Sequence, residues 1–239
     1  MAEPASPAGD GVVVVIPAFQ AEATLPAVLD GVRASLPGAR LLVVDDGSTD
    51  GTAVAARRAG AQLVRHDSNL GKGRALESGL DEAVRCGARC VVTMDADGQH
   101  PPASVPSLLA ALREGVVDVV VGARRRDAGT MPWLRRASNR LSSALLSRAL
   151  GVRVPDSQSG FRAFTARVAG AVRPSGARYE FETEFLFLAA GLGFRLGAVP
   201  VPTVYAGARS HFRYAADTAR LTGVFLRHWR AILFGPAAR

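Results

Sequence analysis

Cysteine is scarce in this 239-residue chain: there are two, Cys86 and Cys90. They lack the paired spacing of a zinc site, so reduced, buried thiols in a cytosolic protein are expected, one at a helix end and one at the start of a strand. Aromatics make up only 6%. With no nucleic-acid motif in evidence, that argues against a nucleic-acid partner. No run of 18 or more uncharged apolar residues occurs, which argues against a membrane-spanning helix. Residues 1–11 are small and Pro-rich, without a basic start followed by a long apolar region. They are expected to be a disordered lead-in rather than a signal peptide. The Walker pattern and the Rossmann glycine triplet are both missing, as are internal repeats and any clear linker.

What is present is an ordinary globular balance, 48% hydrophobic and 21% charged. The length suits one domain with a full core. Twenty-nine Lys and Arg oppose 21 Asp and Glu, a net charge of +8. Such an excess suits an anionic partner, either phosphate groups or a membrane surface.

Short apolar strands alternate with helices over residues 12–122. Val12-Val13-Val14-Val15-Ile16 is apolar and β-branched and is expected to stop at Pro17, as a central parallel strand would. Residues 24–35 carry helical spacing, and Leu41-Leu42-Val43-Val44 is a second strand running into Asp45 and Asp46. Two adjacent acids exceed what a helix cap needs and can accept hydrogen bonds from a base or ribose. A helix over 52–59 and a strand at 62–64 follow. Then comes Asn69-Leu70-Gly71-Lys72-Gly73-Arg74, leading into a helix to about Arg85. Lys72 there either aids an anionic ligand or is solvated. A helix over 104–114 and a strand over 116–121 complete the alternation, which argues for an α/β fold with a mostly parallel sheet covered on both faces.

The chemistry centres on Val91-Val92-Thr93-Met94-Asp95-Ala96-Asp97-Gly98-Gln99-His100. A buried strand is expected to end at Asp95, leaving two carboxylates near its carboxyl end, where open α/β sheets bind ligands. Carboxylates that close repel unless a cation intervenes. A divalent metal holding a diphosphate fits, because Mg²⁺ favours one or two carboxylates plus phosphate oxygens.

The character changes after residue 123. Seven arginines (Arg124, Arg125, Arg126, Arg135, Arg136, Arg140, Arg148) fall within 25 residues. Part of this stretch is a helix over 134–150, with Leu141, Ala144, Leu145 and Ala149 spaced for one face. Arginine suits bidentate phosphate binding. Asp156-Ser157-Gln158-Ser159-Gly160-Phe161-Arg162 opens a second functional stretch. Glu180, Glu182 and Glu184 begin a Phe- and Leu-rich helix, where first-turn acids complement the dipole. Residues 195–204 read as edge strand, given Pro200 and Pro202. Residues 212–234 mix basic and large apolar residues at helical spacing, for an anionic bilayer, the domain itself or a partner subunit. A homo-oligomer is left open.

The order Val-Ile-Pro-Ala-Phe, Val-Val-Asp-Asp-Gly-Ser-Thr-Asp, Asn-Leu-Gly-Lys-Gly, Met-Asp-Ala-Asp-Gly-Gln-His, Gly-Ala-Arg and Ser-Gly-Phe-Arg resembles the family two glycosyltransferases, and among them the dolichol- or polyprenyl-phosphate sugar synthases. The resemblance runs from about residue 12 to 218. It implies a GT-A fold over 12–211, with a nucleotide-sugar half to about 123 and an acceptor half after it, followed by an amphipathic tail helix over 212–239. It implies inverting transfer from a nucleotide diphosphate sugar, of the GDP-mannose or UDP-glucose type, to a polyprenyl monophosphate. By match, Asp97 and Gln99 bind Mg²⁺ or Mn²⁺, and Asp95 and Ala96 face the nucleotide sugar. Pro17, Ala18, Phe19 and one of Asp45 or Asp46 hold base and ribose. Arg124 contacts donor and acceptor phosphates, Arg135 and Asn139 hold the acceptor phosphate, and Arg209 and Ser210 lie in a closing loop. The acid the family often has four residues after the first proline is Ala21 here, with Glu22 next to it as a substitute.

The chemistry agrees. A departing nucleoside diphosphate needs positive charge. A phosphate nucleophile is already anionic, so alignment rather than a base is required, and His100 and His211 are expected to be positional. The implied location is the cytoplasm, peripheral on the inner face of the membrane. Two alternatives stand beside this: a hydroxyl acceptor, with Asp156, Glu182 or Glu184 as base, and a non-catalytic subunit that grips lipid phosphate.

Overall fold

The structure, a computed structural model, describes residues 9–124, 133–178, 180–202 and 222–228, without the side chains of 133–138. In chain order the elements are β1 (Val12–Ala18), α1 (Leu25–Ser35), β2 (Arg40–Asp45), α2 (Thr52–Arg58), β3 (Gln62–Arg65), α3 (Lys72–Arg85), β4 (Cys90–Thr93), a 3-10 turn (Pro102–Ser104), α4 (Val105–Arg113), β5 (Val119–Arg124), α5 (Trp133–Leu150), β6 (Arg162–Thr165), α6 (Ala166–Ala171), α7 (Glu180–Gly191) and β7 (Leu196–Val201). The strands form one seven-stranded sheet in the order β3-β2-β1-β4-β6-β5-β7. All pairs are parallel except those of β6, which runs antiparallel to β4 and β5.

β1 shows why so apolar a run is needed. It lies inside the sheet and every residue of it is buried. Val13 and Val15 face one core with α3, α6 and α7 residues such as Leu76, Leu80, Val168 and Phe185. Val12, Val14 and Ile16 face the other, with Leu25 and Leu29 of α1 and Leu108 and Leu109 of α4. A strand covered on both sides has no solvent face to make polar.

Several local expectations need correction. Pro17 does not stop β1. Val15 O accepts from Met94 N on the β4 side, and Ala18 O accepts from Asp46 N on the β2 side. By alternation Pro17 points toward β4, whose ladder has already ended at Val15–Thr93, so its missing N–H is not needed there. β4 likewise ends at Thr93 rather than Asp95, because its β6 partner ends at Arg162. Val116 is 64% exposed and precedes β5, which instead runs on through Arg124 beside the edge strand β7.

The expected face of α5 is met only at Ala149. Leu141 is 62% exposed and Ala144 is exposed, whereas Asn139, Ser142, Ser143 and Leu146 are buried beside Ala149. The hydroxyls displace leucine because the 154–157 segment supplies their partners. Ser142 Oγ lies 3.0 Å from Ser157 Oγ, Ser157 N donates to Ser143 Oγ at 3.0 Å, and Val154 N donates to Ser147 Oγ at 2.9 Å.

At the termini, residues 1–8 of the expected lead-in lie outside the described residues, while Gly9 N donates to Pro37 O and Asp10 pairs with Arg89 at 2.6 Å. Of the tail, residues 222–228 pack on α7. Val224 is buried, Phe225 meets Phe187 edge-on, and the His228 ring lies flat on Phe187 with centroids 4.5 Å apart. Arg227 Nη1 donates to Ser175 Oγ at 2.8 Å and to Glu184 Oε1 at 3.1 Å. Of the three surfaces open to the tail, this part takes the domain. No helix among the described residues is long and apolar enough to cross a membrane.

Candidate active site

The carboxyl ends of β1, β2, β4 and β5 deliver Phe19, Asp45, Asp95 and Arg124 to one edge of the sheet. After β4, the turn at Asp97 closes on itself. Asp97 Oδ1 accepts from Gln99 N at 3.0 Å and Oδ2 from Gln99 Nε2 at 2.8 Å. His100 is buried against Phe161, with ring centroids 5.2 Å apart, and burial depresses it to about 4, so it is neutral at physiological pH.

Lys72 begins α3, and its Nζ reaches Asp95 Oδ1 at 2.6 Å and Glu182 Oε1 at 2.8 Å. It is ion-paired and only partly exposed; burial would strip its proton, but the two carboxylates outweigh that and raise it. Its place depends on two glycines. Gly71 has φ +102, and a Cβ there would strike Ala177 O; a Cβ at Gly73 would strike Gly176 O. Gly73 N donates to Ala177 O at 2.8 Å, so α3 starts pressed against the loop that precedes α7. Glu182 lies in the first turn of α7 as expected, and it is also 3% exposed and ion-paired. Glu184 accepts from Ser175 N and Gly176 N at 3.0 and 2.8 Å.

On the other flank, Asp156 receives Arg124 Nε at 2.7 Å and Nη2 at 3.0 Å, with Asn139 Nδ2 at 3.0 Å. Burial pushes this carboxyl up, but Arg124 and Asn139 overcome it and hold it at about 2. Asn139, matched to an acceptor-phosphate contact, thus holds Asp156, and its Oδ1 accepts from Ser143 Oγ at 3.3 Å. Arg162 lies buried between these flanks. It donates to Ser159 O and Ser157 O at 2.9 and 3.1 Å, and burial depresses it to about 10.

The charges can now be balanced. Among the described residues, Lys72, Arg124 and Arg162 stand against Asp95, Asp156 and Glu182, each cation near at least one of these acids. Asp97 is left over. Burial and then the Asp95 charge raise its carboxyl above the ordinary carboxylate range. A surplus carboxylate, an adjacent amide and an open sheet edge fit a hard divalent cation that keeps sites for phosphate oxygens. Such an ion would relieve the repulsion. Asp97 and Gln99 are the residues that would hold it, with Gln99 turning its amide oxygen inward.

On the nucleotide side, the loop after β1 is stitched to the loop after β2. Gln20 N donates to Ser48 Oγ at 3.0 Å and Ala21 N to Thr52 Oγ1 at 2.8 Å. Pro17 and Ala18 are buried in β1, and Phe19 is partly exposed beside them. Glu22 accepts from Gly51 N at 2.9 Å, so its carboxylate ties the start of α2. Asp46 is saturated by the chain itself: Leu70 N at 2.9 Å, Gly71 N at 2.8 Å and His66 Nδ1 at 2.7 Å. Asp45 accepts from Ser48 N at 2.9 Å and faces Arg65 Nε at 3.2 Å. Ala96 is buried between the two acids.

Arg135 lies in α5, four positions before Asn139, but its side chain is outside the described residues, as are Arg209 and Ser210. Sequence reasoning missed the Asp156 clamp, the Lys72–Glu182 pair and His66. One signal was available: Asn139, Ser142, Ser143 and Ser147 form a polar stripe at helical spacing.

The model of Glycosyl transferase family 2 matches residues 13–172. A polyprenol monophosphomannose synthase of Mycolicibacterium smegmatis is 31% identical, covering 79% of this chain and 76% of its own. An undecaprenyl-phosphate mannosyltransferase of Micrococcus luteus is 32% identical, covering 81% and 83%. Among solved structures, glucosyl-3-phosphoglycerate synthase from Mycobacterium tuberculosis, in complex with Mn²⁺, UDP and glucosyl-3-phosphoglycerate, superposes with a TM-score of 0.74 at 25% identity, covering 92% of this chain and 80% of that one. The architecture is the GT-A fold with one antiparallel strand in its sheet. With the acid turn at the end of β4 and the basic half after β5 on the same frame, the chain belongs to glycosyl transferase family 2.

Proposed function

We propose that this glycosyltransferase moves a sugar from a nucleotide diphosphate sugar to a polyprenyl monophosphate, with inversion and with Mg²⁺ or Mn²⁺ in the site. The observation that carries it is the surplus Asp97 carboxylate beside Arg124: among the described residues Lys72, Arg124 and Arg162 offset Asp95, Asp156 and Glu182 in number. The two relatives named for polyprenyl-phosphate mannose transfer, and the Mn²⁺ and UDP of the structural neighbour, support the same reading.

In this reading an acceptor phosphate oxygen attacks the anomeric carbon. A carbon–oxygen bond forms there as the bond to the leaving diphosphate breaks, and no proton has to move. A divalent cation supplies positive charge to the departing diphosphate. Arg124, oriented by Asp156, is the residue assigned to the phosphates, and Arg135 is assigned to the acceptor. Pro17, Ala18, Phe19 and Asp45 border the base and ribose. The acids that a hydroxyl acceptor would require are all engaged. Asp156 sits at about 2 with three side-chain N–H donors, Glu182 is paired with Lys72, and Glu184 is held by backbone and Arg227. That favours the phosphate nucleophile. The +8 charge suits peripheral residence on an anionic membrane surface, on the cytoplasmic face, where nucleotide sugars are made.

The test is a panel of GDP- and UDP-sugars assayed with undecaprenyl phosphate and Mn²⁺. Sugar-phospholipid formed with one donor supports the proposal; no product with any donor overturns it. Salt-sensitive sedimentation with anionic vesicles tests the membrane part.

A further inference from the structure

The metal-binding reading assigns a cation to Asp97, yet Asp95 is only one residue removed and is a carboxylate too. Asp-x-Asp spacing puts both carboxylates within reach of one ion. What distinguishes them lies in three other stretches of the chain. Lys72 Nζ sits 2.6 Å from Asp95 Oδ1 and is itself held by Glu182 at 2.8 Å, with Glu182 buried in the first turn of α7. Gly160 makes the room: a Cβ there would lie 2.8 Å from both Asp95 Oδ1 and Lys72 Nζ. Thr93 Oγ1 donates to Gly160 O at 2.8 Å, so that glycine is fixed to the end of β4. On the far side, the start of α3 is pinned by Gly73 N on Ala177 O. The brace is therefore rigid at both ends.

We propose that Lys72, held by Glu182 and accommodated by Gly160, is a positioning residue that keeps Asp95 off the cation, so that the metal takes one carboxylate and Asp95 stays turned toward the sugar donor. This rests on the reading of Asp97 as the metal carboxylate. It has a consequence that a merely structural role lacks. Loss of an ordinary supporting partner weakens metal binding. Loss of Lys72 instead frees a second carboxylate for the ion, and cation affinity rises with ligand charge.

The experiment is Mn²⁺ titration of the full chain, read by the EPR signal of free Mn²⁺ without any sugar donor, alongside turnover with the donor found active. Lys72→Met should bind Mn²⁺ about tenfold more tightly while kcat falls about 10- to 100-fold. Gly160→Ala, which removes no charge, should shift both in the same directions. Lys72→Met/Glu182→Gln keeps the local charge balanced and serves if the single variant does not fold; it should also tighten Mn²⁺. Unchanged or weaker Mn²⁺ binding in the folded variants overturns the proposal. Asp97→Asn separates the two layers. If it loses Mn²⁺ but Lys72→Met gains none, the brace idea alone is wrong. If it binds as the wild type does, the metal reading fails and takes the proposal with it.

Discussion

Replacing Asp156 by Asn keeps the side chain's shape and removes its charge. The carboxyl sits at about 2 in the folded chain against an ordinary 3.8. By linkage that difference corresponds to roughly 2.5 kcal/mol of stability at neutral pH. The group is 2% exposed, so solvent screening does little to reduce it. Because the folded value is depressed, the contribution is complete above about pH 5 and is lost as pH falls through about 2; at pH 3 roughly 1.3 kcal/mol remains. Asp156→Asn should therefore cost about 2.5 kcal/mol at pH 7, and its gap from wild type should close by about 1 kcal/mol at pH 3. Asp156→Ala leaves the Arg124 guanidinium without its bidentate partner and should cost more, about 3–5 kcal/mol, a large part of the roughly 5–15 kcal/mol typical of a domain. Urea unfolding at the two pH values measures all of this. A gap that is below about 0.5 kcal/mol at pH 7, or that does not narrow on acidification, would refute the view that Asp156 is an ionised anchor for Arg124.

Three further outcomes are expected. Asp97→Ala should abolish transfer without lowering the melting temperature at pH 7, because burial and Asp95 already disfavour its charged form; a marked drop in melting temperature would contradict that. Gly73→Ala pushes a methyl into Gly176 O and should destabilise by about 1–3 kcal/mol in urea unfolding, whereas a neutral effect would mean α3 does not start so tightly against the 174–178 loop. Arg227→Ala removes the donor to Glu184 and Ser175 and should speed amide exchange in residues 222–228, with unaltered exchange counting against their docking on α7.

Much of this molecule was legible before any coordinates. Val12–Ile16, Leu41–Val44 and Val91–Val92 carry their burial in their own composition, since a strand covered on both faces must be apolar throughout. The acid turn after β4 was legible too, because Asp95, Asp97 and Gln99 sit within five residues. α5 was not. Its exposed Leu141 and buried Ser142 and Ser143 invert the usual rule, because what a hydroxyl needs is a partner, and that partner comes from the distant 154–157 segment. Pro17 likewise ends a strand only where its neighbour would have asked for an N–H.

The sequence by itself determined the order of the elements as far as α5, the family and the presence of several acids and bases in one half-dozen motifs, since these depend on local composition and spacing; β6 and α6 emerged only in the structure. Only the tertiary structure decided which charges cancel. Lys72 meets Asp95 and Glu182, and Arg124 meets Asp156, across long stretches of chain. Those meetings follow from strand order and from glycines that let backbones approach, and ion pairing falls off within a few ångströms. Three-dimensional proximity, which no linear spacing encodes, is what leaves one carboxylate over.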